Sequence, residues 1–368
     1  MTDPRVAKMA GLLVDCSVAI KAGDRVMVEG DSTSEPLLKA VYEKVLKAGG
    51  HPLVLCAPLE IEEIFYRNAS DEQLKYVHQP RKLALESYDA RIVVWGGANT
   101  KALTNVEPSR MAIHRKAQAE LLKIVLKRSS TNEFRWVGAL YPTNALAQDA
   151  EMSLSEYEDF VYGACLPDMA DPAGYWRHFS TRQLRVINWL KGKAEVHIKG
   201  PETDLRLNIT GRPFINCDGH NNMPDGEIFT GPVEDSAEGH VYFSYPAIYD
   251  GHKVTGVRLW FESGQVVKAT AEKNEEFLHK TIDTDDGARR VGEFAVGTNE
   301  GITRFTREIL FDEKIGGSFH LALGMGYPES GSKNESGLHW DMVCDLRQGG
   351  EIWVDGQLLY KDGKFVIF

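Results

Sequence analysis

"DRVMVEGDSTSEPLLKAVYEKVLKAGGHPLVLC", residues 24–56, decides the fold class of the first half of this chain. "DRVMVEG" (24–30) follows a Lys-Ala-Gly turn and reads as a buried strand. "SEPLLKAVYEKVLKAGG" (34–50) has helical periodicity and a glycine stop. "HPLVLC" (51–56) is a second strand. Downstream the alternation continues. "ARIVVWGG" (90–97) and "FRWVGAL" (134–140) read as strands, and "EPSRMAIHRKAQAELLKIVLKR" (107–128) as a long helix with Pro108 in its first turn. Apolar strands alternating with helices predict a mainly parallel sheet covered on both sides.

Residues 151–192 read as helical, ending in "YWRHFSTRQLRVINWLKG". From about residue 193 the texture changes to short alternating strands, such as "KAEVHIKG", "GHVYFSYP" and "GVRLWFES", with Asp-Gly and Ser-Gly turns between them. A helix is expected near 271–282. The reading is an α/β N-terminal domain over 1–190 and an α+β C-terminal domain over 191–368, rich in antiparallel strands and carrying the chemistry.

The composition is that of an ordinary globular protein: 368 residues, 43% hydrophobic and 26% charged. A formal net charge of −11 argues against nucleic acid or an anionic membrane as a partner. Five widely spaced cysteines, Cys16, Cys56, Cys165, Cys217 and Cys344, contain no C-x-x-C pair. They read as reduced thiols of a cytoplasmic protein rather than as a disulfide or zinc-knuckle framework. The N-terminal apolar run is broken by Asp15, which predicts a short amphipathic helix and no signal peptide.

Common catalytic signatures are missing. Neither G-x-x-x-x-G-K-[ST] nor G-x-S-x-G occurs. "GMGYPES" has Glu329 where a dinucleotide loop needs its third glycine. "DTDDG" (283–287) lacks calcium-loop ligands and reads as the acidic first turn of a helix. What remains is a set of metal-type ligands in apolar contexts: Glu227 in "GEIFTGP", Glu293 in "GEFAVG", His320 in "FHLALGMGY", and His339 with Asp341 in "LHWDMV". In a strand, His339 and Asp341 share one face and Trp340 and Met342 the other. Burying unpaired carboxylates costs several kcal/mol, about 3–5 by comparison with broken buried ion pairs, and a divalent metal offsets that cost. Taken singly, each residue also has an ordinary reading. His320 could be a core histidine, Glu227 a turn carboxylate, Glu293 a partner of Arg289 or Arg290, and His339–Asp341 a mutual hydrogen bond.

"GEIFTGP", "GEFAVG", "HLALGMGYPE" and "NESGLHWDM" resemble the signature segments of the aminopeptidase T / aminopeptidase S / PepS family of dinuclear metallo-aminopeptidases. "VDCSVAIKAGDRVMVEG" and "LKAGGHPLVL" resemble that family's opening strand–helix–strand, so the resemblance covers nearly the whole chain. It implies that Glu227, Glu293, His320, His339 and Asp341 hold two divalent ions (zinc, cobalt or manganese), with Glu293 bridging. It further implies that Tyr327 donates to the oxyanion, that a glutamate moves the proton of a two-metal-bound hydroxide, that a peptide is the substrate, and that the chain is a homodimer. The loop between Tyr327 and His339 is shorter than in typical members. Two dications carry about +4 against three carboxylates, and metal binding lowers the pKa of water to about 7. The alternative reading uses His320, His339 and Asp341 alone, as the facial triad of a mononuclear iron(II) ring-opening dioxygenase acting on a dihydroxypyridine-like substrate. A third is a scaffold that binds no metal.

Overall fold

The computed structural model describes residues 3–58 and 60–367. The chain divides into two compact units. One runs to Tyr175 and takes in Gly219–Pro224; the other comprises Trp176–Asp218 and everything from Asp225 onward. The division falls within the helix Pro172–Leu190, and the first strand of the antiparallel half is Glu195–Gly200.

In the first unit, β1 (Arg25–Asp31), α1 (Glu35–Lys47) and β2 (His51–Ala57) form the expected crossover. Pro36 sits at the start of α1, where its missing N–H costs nothing, and Glu35 lies at the positive end of the helix dipole. Leu37, Leu38, Val41 and Val45 give α1 its buried stripe. Gly49 then takes φ +83°, a conformation that glycine adopts without strain, and the chain turns into β2.

The sheet continues through β3 (Ala90–Trp95), the long helix α2 (Pro108–Ser130) and β4 (Arg135–Leu140). Its order is β2-β1-β3-β4, extended by the short strand Asn222–Met223, and every pairing is parallel. One strand departs from the expected double cover. β2 lies at the sheet's edge, and Leu53, Val54 and Leu55 are exposed.

The named strands of the second unit pair antiparallel. An eight-stranded sheet built from Glu195–Gly200, Thr203–Asn208 and later hairpins shares one hydrophobic core with a five-stranded sheet. Ile198, Leu205, Val241 and Leu259 from the first meet Phe294, Phe319, Leu321, Trp340 and Met342 from the second. The mainly parallel α/β half and the antiparallel-rich half are thus both as the sequence indicates. "DTDDG" is a correction. It follows the helix Glu275–Ile282 instead of starting one. Asp285 accepts the backbone N–H groups of Gly287 (2.9 Å), Ala288 (3.0 Å) and Gly337 (2.7 Å) and the Ser336 hydroxyl (2.7 Å). The carboxylate therefore organises a turn and ties down the segment that leads into His339.

Candidate metal centre

The five-stranded sheet is made of β5 (Ile215–Cys217), β6 (Glu227–Thr230), β7 (Val291–Gly297), β8 (Ser318–Gly324) and β9 (His339–Asp345), in the order β9-β8-β7-β6-β5. Directly paired residues of an antiparallel sheet share a face, and so do residues two apart on one strand. Glu293 pairs with Ala322, which pairs with Asp341. His320 pairs with Ala295, His339 with Gly324, and Glu227 with Gly297. Register alone therefore puts Glu227, Glu293, His320, His339 and Asp341 on one face. The residues between them on that face, Ala295, Ala322 and Gly297, are small and leave room above the sheet. The opposite face carries Phe294, Val296, Phe319, Leu321, Trp340 and Met342 into the core. The alternation expected in "LHWDMV" is present, with His339 and Asp341 half-buried and Trp340 and Met342 buried.

His320 lies at the centre and is fully buried. Its Nε2 stands 3.3 Å from Glu227 Oε2, 3.5 Å from Glu293 Oε1 and 4.0 Å from Asp341 Oδ1. Asp341 Oδ2 stands 3.4 Å from His339 Nε2. His339 donates its Nδ1–H to the carbonyl of Met325 at 2.7 Å, which turns its Nε2 toward Asp341 and the cluster. Tyr327 packs its ring edge-on to His339, with centroids 5.4 Å apart, and against Phe229 at 5.7 Å.

The electrostatics are those of a crowded acidic site. Burial pushes the Glu227 carboxyl up to about 8, against the pull of Lys314. Glu293 is raised as well, first by burial and also by Asp341. Burial alone would lower His320 and His339; the contacts with Glu293, Glu227 and Asp341 instead raise His320 to about 9, and Asp341 raises His339 to about 10. Asp341 is held down by His339 and His320 although its burial acts the other way. Burial, then Glu293 and Asp341, keep the Tyr327 phenol protonated well past its ordinary range.

Yet these groups do not satisfy one another. Glu227 Oε2, Glu293 Oε2 and both ring nitrogens of His320 are buried without a hydrogen-bond partner. Buried polar atoms in native proteins are nearly always paired, so orphaned atoms on three residues whose ligand atoms lie within 4.8 Å of one another mark the place of a further partner. The donor set of carboxylate oxygens and imidazole nitrogens suits a divalent cation. Glu227, Glu293 and His320 each bring a ligand atom to within 4.8 Å of the others, and so do Glu313, His320 and Asp341.

Sequence reasoning missed two participants. Lys314 is fully buried with Nζ 3.5 Å from Glu227 Oε1, and it also pairs with Glu313. Burial would lower its pKa, but Glu227, Glu313 and Asp225 raise it. Its local sequence, "FDEKIGG", has the look of a solvated charge run. Cys217 pairs with Glu227 across β5 and β6. Its thiol is pushed up by burial and by Asp225 and Glu227. None of the five cysteines is in a disulfide among the described residues.

The sequence model of the thermophilic metalloproteases (M29) matches residues 2–365. The chain belongs to the M29 metalloprotease family. As a member it is a peptide hydrolase that depends on divalent metal. It is similar to aminopeptidase 2 of Geobacillus stearothermophilus, 27% identical with 97% of this chain and 94% of the relative covered. Aminopeptidase T of Thermus thermophilus is likewise 27% identical, with 97% and 95% covered, and aminopeptidase PepS of Streptococcus thermophilus is 26% identical, with 98% and 95% covered. Among solved structures, wild-type AmpT from Thermus thermophilus has the same fold as this M29 chain, with a TM-score of 0.86 at 23% identity over 99% of both chains. A 2,5-dihydroxypyridine dioxygenase from Pseudomonas putida shares the fold more distantly, with a TM-score of 0.61 at 15% identity, covering 99% of this chain and 97% of that one. No helix among the described residues is long and apolar enough to cross a membrane.

Proposed function

We propose that this M29 protein is an aminopeptidase that removes N-terminal residues from peptides with two divalent ions held by Glu227, Glu293, His320, His339 and Asp341. The observation that carries the reading is the meeting of Glu227, Glu293 and His320, each with a buried atom lacking a hydrogen-bond partner, beside the His339–Asp341 pair. Zinc, cobalt and manganese all suit the donor set. Bound divalent cations supply Lewis acidity, lowering the pKa of water toward about 7 and polarising a carbonyl.

The chain's own residues do the rest. Asp341 presents one oxygen to each histidine and so spans the two halves of the site. Glu293 turns Oε1 toward His320 and has a buried, unpartnered Oε2. It is the carboxylate that takes the proton of the attacking water and hands it to the leaving amine. Tyr327 keeps its phenolic proton and donates it as a hydrogen bond to the developing oxyanion. A dioxygenase using His320, His339 and Asp341 alone would leave Glu227 and Glu293 buried there without a role.

The test is chelation followed by gel filtration, with hydrolysis of an aminoacyl-p-nitroanilide as the readout. Activity should vanish and return on adding cobalt or zinc, and N-acetylation of the substrate should block it. Full activity in protein shown to carry no metal would overturn the proposal.

A further inference from the structure

Glu227 divides its two oxygens. Oε1 faces Lys314 Nζ at 3.5 Å, whereas Oε2 faces His320 Nε2 at 3.3 Å and lacks a hydrogen-bond partner. On the Lys314 flank lies a second set of donors. Cys217 is opposite Glu227 in the strand register, and ligand atoms of Cys217, Asp225 and Glu227 fall within 4.8 Å of one another. A thiol with two carboxylates would attract zinc or cobalt at least as well as imidazole and carboxylate do. Such a site would draw Glu227 away from His320. Lys314 is fully buried on this flank, paired with both Glu227 and Glu313, and the charge of Asp225 also acts on it.

We propose that Lys314 is a built-in cation that fixes Glu227 Oε1 and reserves Oε2 for metal on the His320 side, excluding metal from the Cys217–Asp225–Glu227 flank. The ammonium neutralises carboxylates that would otherwise surround the thiol. It also repels an arriving dication and stops the Glu227 carboxylate from rotating toward Cys217. Lys314 is thus a positioning residue, acting on metal through Glu227. The inference rests on the two-metal reading above.

Cobalt(II) titration of the chelator-stripped full chain tests it, read by calorimetry and by absorption. In the unaltered protein two ions should bind with no thiolate-to-cobalt charge-transfer band in the near ultraviolet. Lys314→Gln keeps a hydrogen-bonding side chain but no charge. It should weaken one of the two ions about tenfold, as loss of a ligand's supporting partner commonly does, and the thiolate band should appear. That band should vanish in the Lys314→Gln/Cys217→Ser double variant, and Lys314→Arg should keep the unaltered spectrum. The inference is overturned if Lys314→Gln matches the unaltered protein in both affinity and spectrum. Cys217→Ser alone should change neither; if it does, or if the unaltered protein shows the band, Cys217 already ligates beside Lys314 and the proposal is wrong. Failure of the unaltered protein to bind cobalt would instead sink the two-metal reading and this inference with it.

Discussion

Both halves of the molecule bury a glutamate in a sheet, and they treat it differently. In the parallel sheet, Glu29 on β1 is buried, and its Oε2 accepts the Nε–H of Arg91 at 3.0 Å and a second N–H of the same guanidinium. Arg81 stands a further 3.6 Å away. The chain supplies its own cation at Oε2, although Oε1 is buried without a hydrogen-bond partner. In the antiparallel sheet, Glu227, Glu293 and Asp341 meet two imidazoles and one lysine at 3.3–4.0 Å, distances too long for good hydrogen bonds. Atoms are left over on both glutamates. The difference teaches where to look for a missing ligand. Burial of charge is not the signal; burial of charge without a built-in partner of the right geometry is.

The strongest way to break this contrast is to neutralise one glutamate in each sheet. Glu293→Gln should abolish measurable peptide hydrolysis and lower metal stoichiometry, while its thermal stability without metal stays the same or rises, because an unpartnered buried charge is gone. Glu29→Gln should do the reverse, lowering stability by about 1–3 kcal/mol with peptide hydrolysis unchanged. Parallel melting curves and metal analyses of the two variants check both halves. Equal behaviour of the pair would erase the distinction.

A smaller effect separates the roles within the site. Tyr327→Phe keeps the ring against His339 and Phe229 and removes only the hydroxyl. It should leave metal content intact and lower kcat by about 10²–10³, the usual cost of removing one oxyanion donor, with little change in KM. Steady-state kinetics on metal-loaded protein is the check, and an unchanged kcat would remove Tyr327 from the reaction.

The smallest effect sharpens the comparison from within the second unit. Asp285 is also a carboxylate there, but Gly287, Ala288, Gly337 and Ser336 donate to it directly. Its partial burial would raise its pKa, yet those donors outweigh burial and hold it below the ordinary value. A depressed carboxylate contributes stability above its unfolded pKa of about 4 and loses it as pH falls through the folded value. Asp285→Asn should therefore be less stable than the unaltered protein at pH 7, and the gap should close in acid as pH falls through the folded-state value. Denaturant midpoints across that range provide the measurement. A gap that stayed constant would mean the charge is not what the turn uses.

The comparison also explains what could be read in advance. The strands β1, β3 and β4 and the helix α1 are dictated by local patterns: apolar runs, a 3.6-residue stripe, a proline at one end and a glycine at the other. The shared face of His339 and Asp341 follows from the period of two. The exposure of β2 does not follow, because an apolar run says nothing about whether another layer covers it. "DTDDG" was misplaced for a similar reason: two of the donors to Asp285 come from Ser336 and Gly337, far along the chain. Lys314 was invisible in "FDEKIGG", since its burial depends on Glu227 in another strand. The convergence of Glu227, Glu293, His320, His339 and Asp341 needs the order β9-β8-β7-β6, which no local pattern encodes. Only the resemblance of whole segments to a known family pointed there.

The central claim is that these five side chains hold a pair of divalent ions. Anomalous diffraction from metal-loaded crystals, collected at the absorption edge of the ion that supports activity, tests it most directly. The account predicts two peaks above the sheet face of β7, β8 and β9, one beside His320 with Glu227 and one beside His339, with Asp341 reaching both. Peaks elsewhere, or none at these residues in crystals of protein that still cleaves peptides, would contradict it.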